Sequence, residues 1–338
     1  MFGTYRTLLA LMVVGYHLGG IPDIGAYAVF GFYMLSGYLM TLIMQENYGY
    51  NTSGLTKYFI NRVLRIYPIY WLSIALAAVL IFYVGENFST AYHQALFFPQ
   101  SLYDILRNIF LFFPFTESPR LTPPAWALTV EIFFYIFIGL GISKNKRIVF
   151  FWFGISVIYH IAVIILGGSW SDRYYSIAAA SLPFSTGALI YHFKNELPSY
   201  MKFIDRETQS YLPAVIFCGI IFNWICGYLT GLSTSLFFYT NYFLCALMVL
   251  ALVDRKSLPY ISKKFDNFMG TLSYPMYLVH YQVGLFVIVI LGMMDLEIKR
   301  PDLLLMFASI PLIFIVSWVF AKAVEQPIEQ LRTRVKKS

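Results

Sequence analysis

Arg6 and His17 stand eleven residues apart in an otherwise apolar run. Eleven residues make three helical turns and about 16 Å of rise, so both side chains emerge on one helix face. That face carries a guanidinium near one end and an imidazole, the side chain suited to move a proton near neutral pH, near the other. Glu131 stands in a second apolar run that opens Pro123-Pro124-Ala125-Trp126, and His280 closes the stretch Ser273-Tyr274-Pro275-Met276-Tyr277-Leu278-Val279-His280. Arg62 and Arg65 are three apart, hence neighbours on a helix, and their forked donors suit phosphate. Each group also has a plainer reading on spacing alone. Arg6 snorkels to the membrane surface, the histidines bond between helices, Glu131 closes a structural ion pair, and Arg62 and Arg65 anchor a span.

The elements that must position these residues belong in a bilayer. Residues of the apolar set make up 59% of the 338-residue chain and charged residues only 12%, half the usual share of a soluble domain. The mean hydropathy is +0.66. A soluble fold cannot hide so much apolar surface, which excludes a secreted globular enzyme, a disulfide scaffold and a disordered chain. A hydrocarbon core of about 30 Å takes roughly 20 apolar residues per helix. The spacing predicts an all-α polytopic membrane protein with about ten transmembrane helices, near 4–20, 27–45, 67–85, 125–142, 148–167, 174–192, 211–228, 233–253, 272–292 and 303–322. Inside such spans an ionisable group costs about 2.5–3.5 kcal/mol or more, so each one needs a reason. The first run has a single basic residue, Arg6, and no small-residue cleavage site follows it, which argues against a signal peptide.

With a cytoplasmic N-terminus, ten spans place Arg107, Arg120, Arg173, Lys299 and Arg300 outside. All the others of the 24 basic residues then face in, among them Lys144, Lys146, Lys202, Arg206, Lys256, Lys263 and Arg332, as the positive-inside rule requires. Both termini are therefore expected in the cytoplasm, and the net charge of +7 needs no nucleic-acid partner. The chain is expected to form one transmembrane domain, 1–338, with a cytoplasmic tail near 323–338. A long outer loop, about 86–124, contains Pro99, Pro114, Pro119, Pro123 and Pro124. Its apolar stretch Ile109-Phe110-Leu111-Phe112-Phe113 is too short to cross and is expected in the interface. Cys218, Cys226 and Cys245 read as packed small hydrophobes. The chain has no CxxC, HExxH, Walker loop or GxSxG, the usual metal, nucleotide and serine-hydrolase motifs.

Six stretches, in order along the chain, resemble the acyltransferase 3 family of membrane O-acyltransferases. They are Arg6 with His17, Phe32 to Tyr38 around Leu35-Ser36-Gly37, Arg62 to Pro68, Trp126 with Leu128 and Glu131, Ser273 to His280, and Glu325 with Pro327. The resemblance implies an acyl-CoA donor, usually acetyl-CoA, and no metal. The implied acceptor is a hydroxyl of an extracytoplasmic or lipid-linked glycan such as a lipopolysaccharide O-antigen, in the bacterial cytoplasmic (inner) membrane. Carried onto this chain, it implies His17 and Glu131 as the catalytic pair, with Glu131 orienting the imidazole. It further implies Arg6, Arg62, Arg65 and Tyr67 around coenzyme A, and Ser36, Trp126 and His280 in substrate binding or support. Some relatives carry a fused extracytoplasmic SGNH esterase-like domain; with the chain stopping at Ser338, soon after the tenth span, none is expected here. Two other classes fit the spans. A secondary transporter also buries ionisable groups, and a membrane glycosyltransferase would use Asp23, although Asp23 beside Pro22 reads as a turn. No motif specifies an oligomeric state.

Overall fold

The computed structural model describes residues 1–113, 119–196, 206–253, 255, 258–259 and 261–337. Pro114, Lys202 and Lys256, invoked above, lie outside them. The described residues are all-helical, with no strand among them. A helix lies on each of the ten expected ranges, and six helices are long and apolar enough to cross a membrane by length and composition.

In chain order the helices are α1 (Gly3–Gly19), α2 (Ile24–Ile43), α3 (Thr52–Val84), α4 (Glu86–Tyr92), α5 (Leu102–Phe110), α6 (Ala125–Leu140) and α7 (Lys146–Ile165). Then come α8 (Trp170–Tyr174), α9 (Ile177–Phe193), α10 (Arg206–Thr230), α11 (Leu236–Leu252), α12 (Lys263–Met293), α13 (Leu303–Phe320) and α14 (Gln326–Lys337). The expected boundaries fail most at α3, which begins at Thr52 rather than near 67, and at α12, which begins at Lys263 rather than near 272. Hydropathy marks only the part of a helix that lipid can hold, whereas hydrogen bonding continues into its polar end. At 1.5 Å per residue the 33 residues of α3 reach about 50 Å, well beyond a 30 Å core. The surplus is the more polar N-terminal end of α3, which carries Lys57, Arg62 and Arg65.

The chain divides into two compact units. One comprises Met1–Tyr5, Ala26–Phe59 and Phe133–Asn267. There α2 and α9 cross at two glycines. A Cβ on Gly37 would collide with the backbone of Phe184, and one on Gly187 with the backbone of Met34 and Tyr38. Such crossings hold membrane helices together because small residues let the backbones approach. Phe184 fills the flanks, stacked on Phe134 at 4.5 Å and Tyr33 at 5.2 Å. Gly187→Val is therefore expected to destabilise the protein by about 1–3 kcal/mol, as overpacked cores do. A lowered midpoint of thermal unfolding in detergent is the readout; an unchanged midpoint would contradict the close crossing. Two of the chain's five histidines are satisfied within this unit. His160 bonds Tyr239 Oη at 3.1 Å and the Ala179 carbonyl at 3.0 Å, and His192 donates to the Ser143 carbonyl at 2.9 Å. All three cysteines are free; Cys245 is buried as expected, while Cys218 is exposed.

The other unit comprises Arg6–Gly25, Ile60–Ile132 and Phe268–Ser338. Helix α1 stops at Gly20, whose φ of +69° is the left-handed conformation that glycine adopts after a helix. Within the expected outer loop, about 86–124, the described residues hold two helices, α4 and α5. The last carbonyls of α5 would be orphaned at a helix end. They accept instead from the aromatic side chains of α3: Tyr67 Oη to Phe110 at 2.9 Å, Trp71 Nε1 to Ile109 at 2.9 Å and Tyr70 Oη to Asn108 at 2.8 Å. Asn108, buried, ties the segment to itself through the Pro119 carbonyl and the Leu121 amide. Leu102, Ile105, Ile109 and Phe110 remain on the exposed face, as an element lying in an interface would place them.

Candidate active site

Eight of the nine expected site residues fall in this second unit: Arg6, His17, Arg62, Arg65, Tyr67, Trp126, Glu131 and His280. Helix α1 presents His17 toward α12, where His280 is wholly buried. The two rings are parallel, 1° apart in tilt with centres at 5.1 Å, and His17 Nδ1 lies 2.9 Å from His280 Nε2. His280 Nδ1 lies 2.8 Å from the Tyr277 carbonyl oxygen, one turn back on α12. A carbonyl only accepts, so that nitrogen carries the proton. In a neutral ring Nε2 of His280 must then accept, so His17 Nδ1 donates to it. The chain of bonds ends with a lone pair on His17 Nε2, the form a general base requires.

Glu131 does not supply this orientation. It lies one and a half turns into α6, close enough to Tyr277 to act electrostatically on its hydroxyl, which donates to the Pro124 carbonyl at 3.1 Å. Trp126 stands in the first turn of α6 and is partly exposed. The imidazole turns toward α12, and the side chain that its Nδ1 meets is His280 rather than the expected carboxylate.

At the His17 end a basic and aromatic group surrounds Tyr281. The ring centres of His17, His280 and His93 lie 4.9, 4.8 and 4.8 Å from that of Tyr281. Arg300 stacks on Tyr281 at 5.1 Å and on Tyr92 at 5.3 Å. Its Nη1 donates to the His17 carbonyl and its Nε to the Tyr92 carbonyl, both at 2.9 Å. Gly284 makes room for Tyr92, whose hydroxyl donates to the Tyr281 carbonyl at 3.0 Å.

At the Arg6 end the positive charges converge. Arg6, Arg62 and Arg332 all lie within electrostatic reach of Arg65, and Arg65 forms an ion pair with Glu325. Asn61 Oδ1 accepts from Arg62 at 2.9 Å and from Arg332 at 3.0 Å, holding two like charges side by side. A small cleft opens among Leu64, Arg65, Ile69, Glu325, Ile328 and Arg332. Tyr67 is not of this group. Two residues past Arg65 means about 200° around the helix, so it points to α5 instead. Ser36 lies in the first unit, where Tyr135 Oη donates to it at 3.4 Å.

Residues 4–322 match the acyltransferase domain of the acyltransferase 3 family. The chain belongs to that family. It is similar to a peptidoglycan O-acetyltransferase of Listeria monocytogenes, 24% identical with 96% of this chain and 55% of the relative covered. A Bacillus subtilis protein provisionally named a peptidoglycan O-acetyltransferase is 26% identical, with 96% and 54% covered. A Staphylococcus aureus protein provisionally named an O-acetyltransferase is 23% identical, with 83% and 50% covered. The chain thus spans about half the length of the curated relatives it matches. No solved structure matches it. Among the described residues, no group of three His, Cys, Asp or Glu side chains is placed to hold a metal ion. Sequence reasoning missed Arg332, Arg300 and His93. The first two were read as topology signals only, and His93 drew no notice although histidine is scarce in the chain.

Proposed function

We propose that this chain is an acyl-CoA-dependent membrane O-acyltransferase that carries an acyl group, most simply acetyl, from the cytoplasm to a glycan hydroxyl on the far side. The observation that carries this reading is one helix, α1, with a basic imidazole nitrogen at one end and an arginine cluster about 16 Å away at the other. In this reading ten helices form one transmembrane domain of the bacterial cytoplasmic membrane, with both termini inside. The arginine cluster then faces the pool of coenzyme A, and His17 lies toward the exterior.

The residues fit the donor. Arg62, Arg65, Arg332 and Arg6 supply planar donors for several phosphate oxygens, and Glu325 holds the place of an anion on Arg65 until a phosphate arrives. The acyl arm then runs along α1 to His17. The acceptor oxygen attacks the thioester carbonyl carbon while His17 Nε2 takes the hydroxyl proton. The carbonyl pair moves to oxygen and returns as the carbon–sulfur bond breaks, and the departing thiolate receives the proton from His17. His280 holds the tautomer throughout and stabilises the imidazolium by accepting from Nδ1–H. Glu131 and Trp126 border the acceptor path, and the tyrosine hydroxyl beside Glu131 links it to α12. Ser36 and Tyr67 support the surrounding helices. The acceptor is an extracytoplasmic or lipid-linked glycan. Lipopolysaccharide O-antigen and, from the names of the relatives, peptidoglycan are the candidates to compare.

Purified protein in lipid vesicles is expected to release free thiol from acetyl-CoA and to leave the acetyl group on an added glycan. Solute uptake with no thiol released would identify a transporter and overturn the proposal.

A further inference from the structure

His93 and Arg300 have donors that the mechanism above leaves unused. His93 follows α4, and its Nδ1 accepts from the Ala95 amide at 3.1 Å. The proton of the neutral ring is therefore on Nε2, which has no protein partner among the described residues. Burial, reinforced by Arg300, Arg120 and His280 nearby, pushes the His93 pKa down to about 3. The ring is therefore neutral near neutral pH, a fixed donor rather than a second base. Arg300 spends Nε and Nη1 on Tyr92, His17 and Tyr281, and Nη2 has no protein partner among the described residues. Both groups pack on the Tyr281 ring that His17 also touches. Both are also close enough to His17 to bear on its charge.

We infer that His93 Nε2–H and Arg300 Nη2 form the oxyanion site of the reaction. As the hydroxyl oxygen bonds to the thioester carbon and its proton passes to His17, the carbonyl π pair localises on oxygen. These two donors receive that charge until the carbon–sulfur bond breaks and the pair returns. This rests on His17 as the base. A fixed donor and a fixed positive charge aimed at developing negative charge are the usual largest contributors to such a step. His17 cannot serve here itself, because its accessible nitrogen carries the lone pair.

Two substitutions at one position separate the roles of the ring. Asn at 93 keeps an acceptor where Nδ1 meets the Ala95 amide but removes the distal donor, whereas Gln places an N–H near the position of Nε2. His93→Asn is expected to lower kcat for acetyl-CoA cleavage about 10²–10³-fold with KM for acetyl-CoA unchanged. His93→Gln is expected to retain most of the rate. An independent readout is the infrared carbonyl band of a ketone analogue of acetyl-CoA, in which methylene replaces sulfur so that no turnover occurs. The band should move to lower frequency on the unmutated protein and on His93→Gln, and should move by a clearly smaller amount on His93→Asn, where Arg300 Nη2 remains as the only donor.

Equal kcat for the two variants, or a carbonyl band unmoved on the unmutated protein, would overturn the inference. The second outcome decides it even if neither variant folds. His17→Ala in the same assay separates the layers. If it is inactive while His93→Asn matches the unmutated rate, only the oxyanion site falls. If it is fully active, the base assignment falls and the oxyanion site with it.

Discussion

His17→Ala is expected to reduce acyl transfer by about 10²–10⁴-fold, the range in which positioned general bases act. The protein should still insert and bind coenzyme A, because Arg6, Arg62, Arg65 and Arg332 are untouched. The loss should appear in kcat rather than in KM for the donor, as for an interaction made only in the transition state. The companion substitution is His280→Gln, whose amide oxygen can accept from His17 Nδ1 near the present position of Nε2. It should keep far more activity than His280→Leu, which leaves Nδ1–H in a buried site without an acceptor. Stopped-assay kinetics on the three purified variants check this. A His17→Ala enzyme with unchanged kcat would end the role assigned to the imidazole pair.

The second large effect lies at the other end of α1, and its sign depends on which partner changes. Arg65→Gln is expected to weaken coenzyme A binding at least about tenfold, in line with roughly 1.5–3 kcal/mol for a hydrogen bond to a charged group. Glu325→Gln should act in the opposite direction, because it removes the carboxylate that competes with phosphate for the same guanidinium. Both partners are largely buried, at 17% and 10% exposure, so salt screens the pair little and the exchange of anions is local. Calorimetric titration with coenzyme A reads both constants. If both variants bind as the unmutated protein does, Arg65 and Glu325 form a structural tie and the phosphates bind elsewhere. Arg332→Gln belongs to the same series and should weaken binding, since Asn61 holds its guanidinium beside that of Arg62.

Much of this site could be read before any coordinates. The eleven-residue step from Arg6 to His17 is fixed by helix geometry, and the three-residue step from Arg62 to Arg65 puts both forks on one side. Burial of His280 followed from the apolar run around it. What the pattern along one helix cannot contain is the rotation of one helix against another. Glu131 was the expected partner of His17, and only the approach of α12 to α1 puts His280 against that ring. Tyr67 shows the same limit in reverse. Its place beside the arginines in sequence suggested a shared ligand, yet 200° of helical turn sends it to α5. Arg332 and Arg300 entered the reading only as loop charges. Each gains a role from a contact more than two hundred residues distant: Arg332 with Asn61, and Arg300 with the carbonyl of His17. The boundaries of α3 and α12 were misplaced for a separate reason, because lipid limits the apolar segment of a helix but not its hydrogen bonding.

The central claim is that donor and acceptor occupy opposite faces and meet at His17. Vesicles holding the protein in one known orientation, with radiolabelled acetyl-CoA confined to the face bearing Lys263 and Arg332 and the glycan confined to the other, test it most directly. Label should appear on the glycan, with free coenzyme A remaining on the face where the donor was supplied. Label transferred only when donor and glycan share a face would contradict the account.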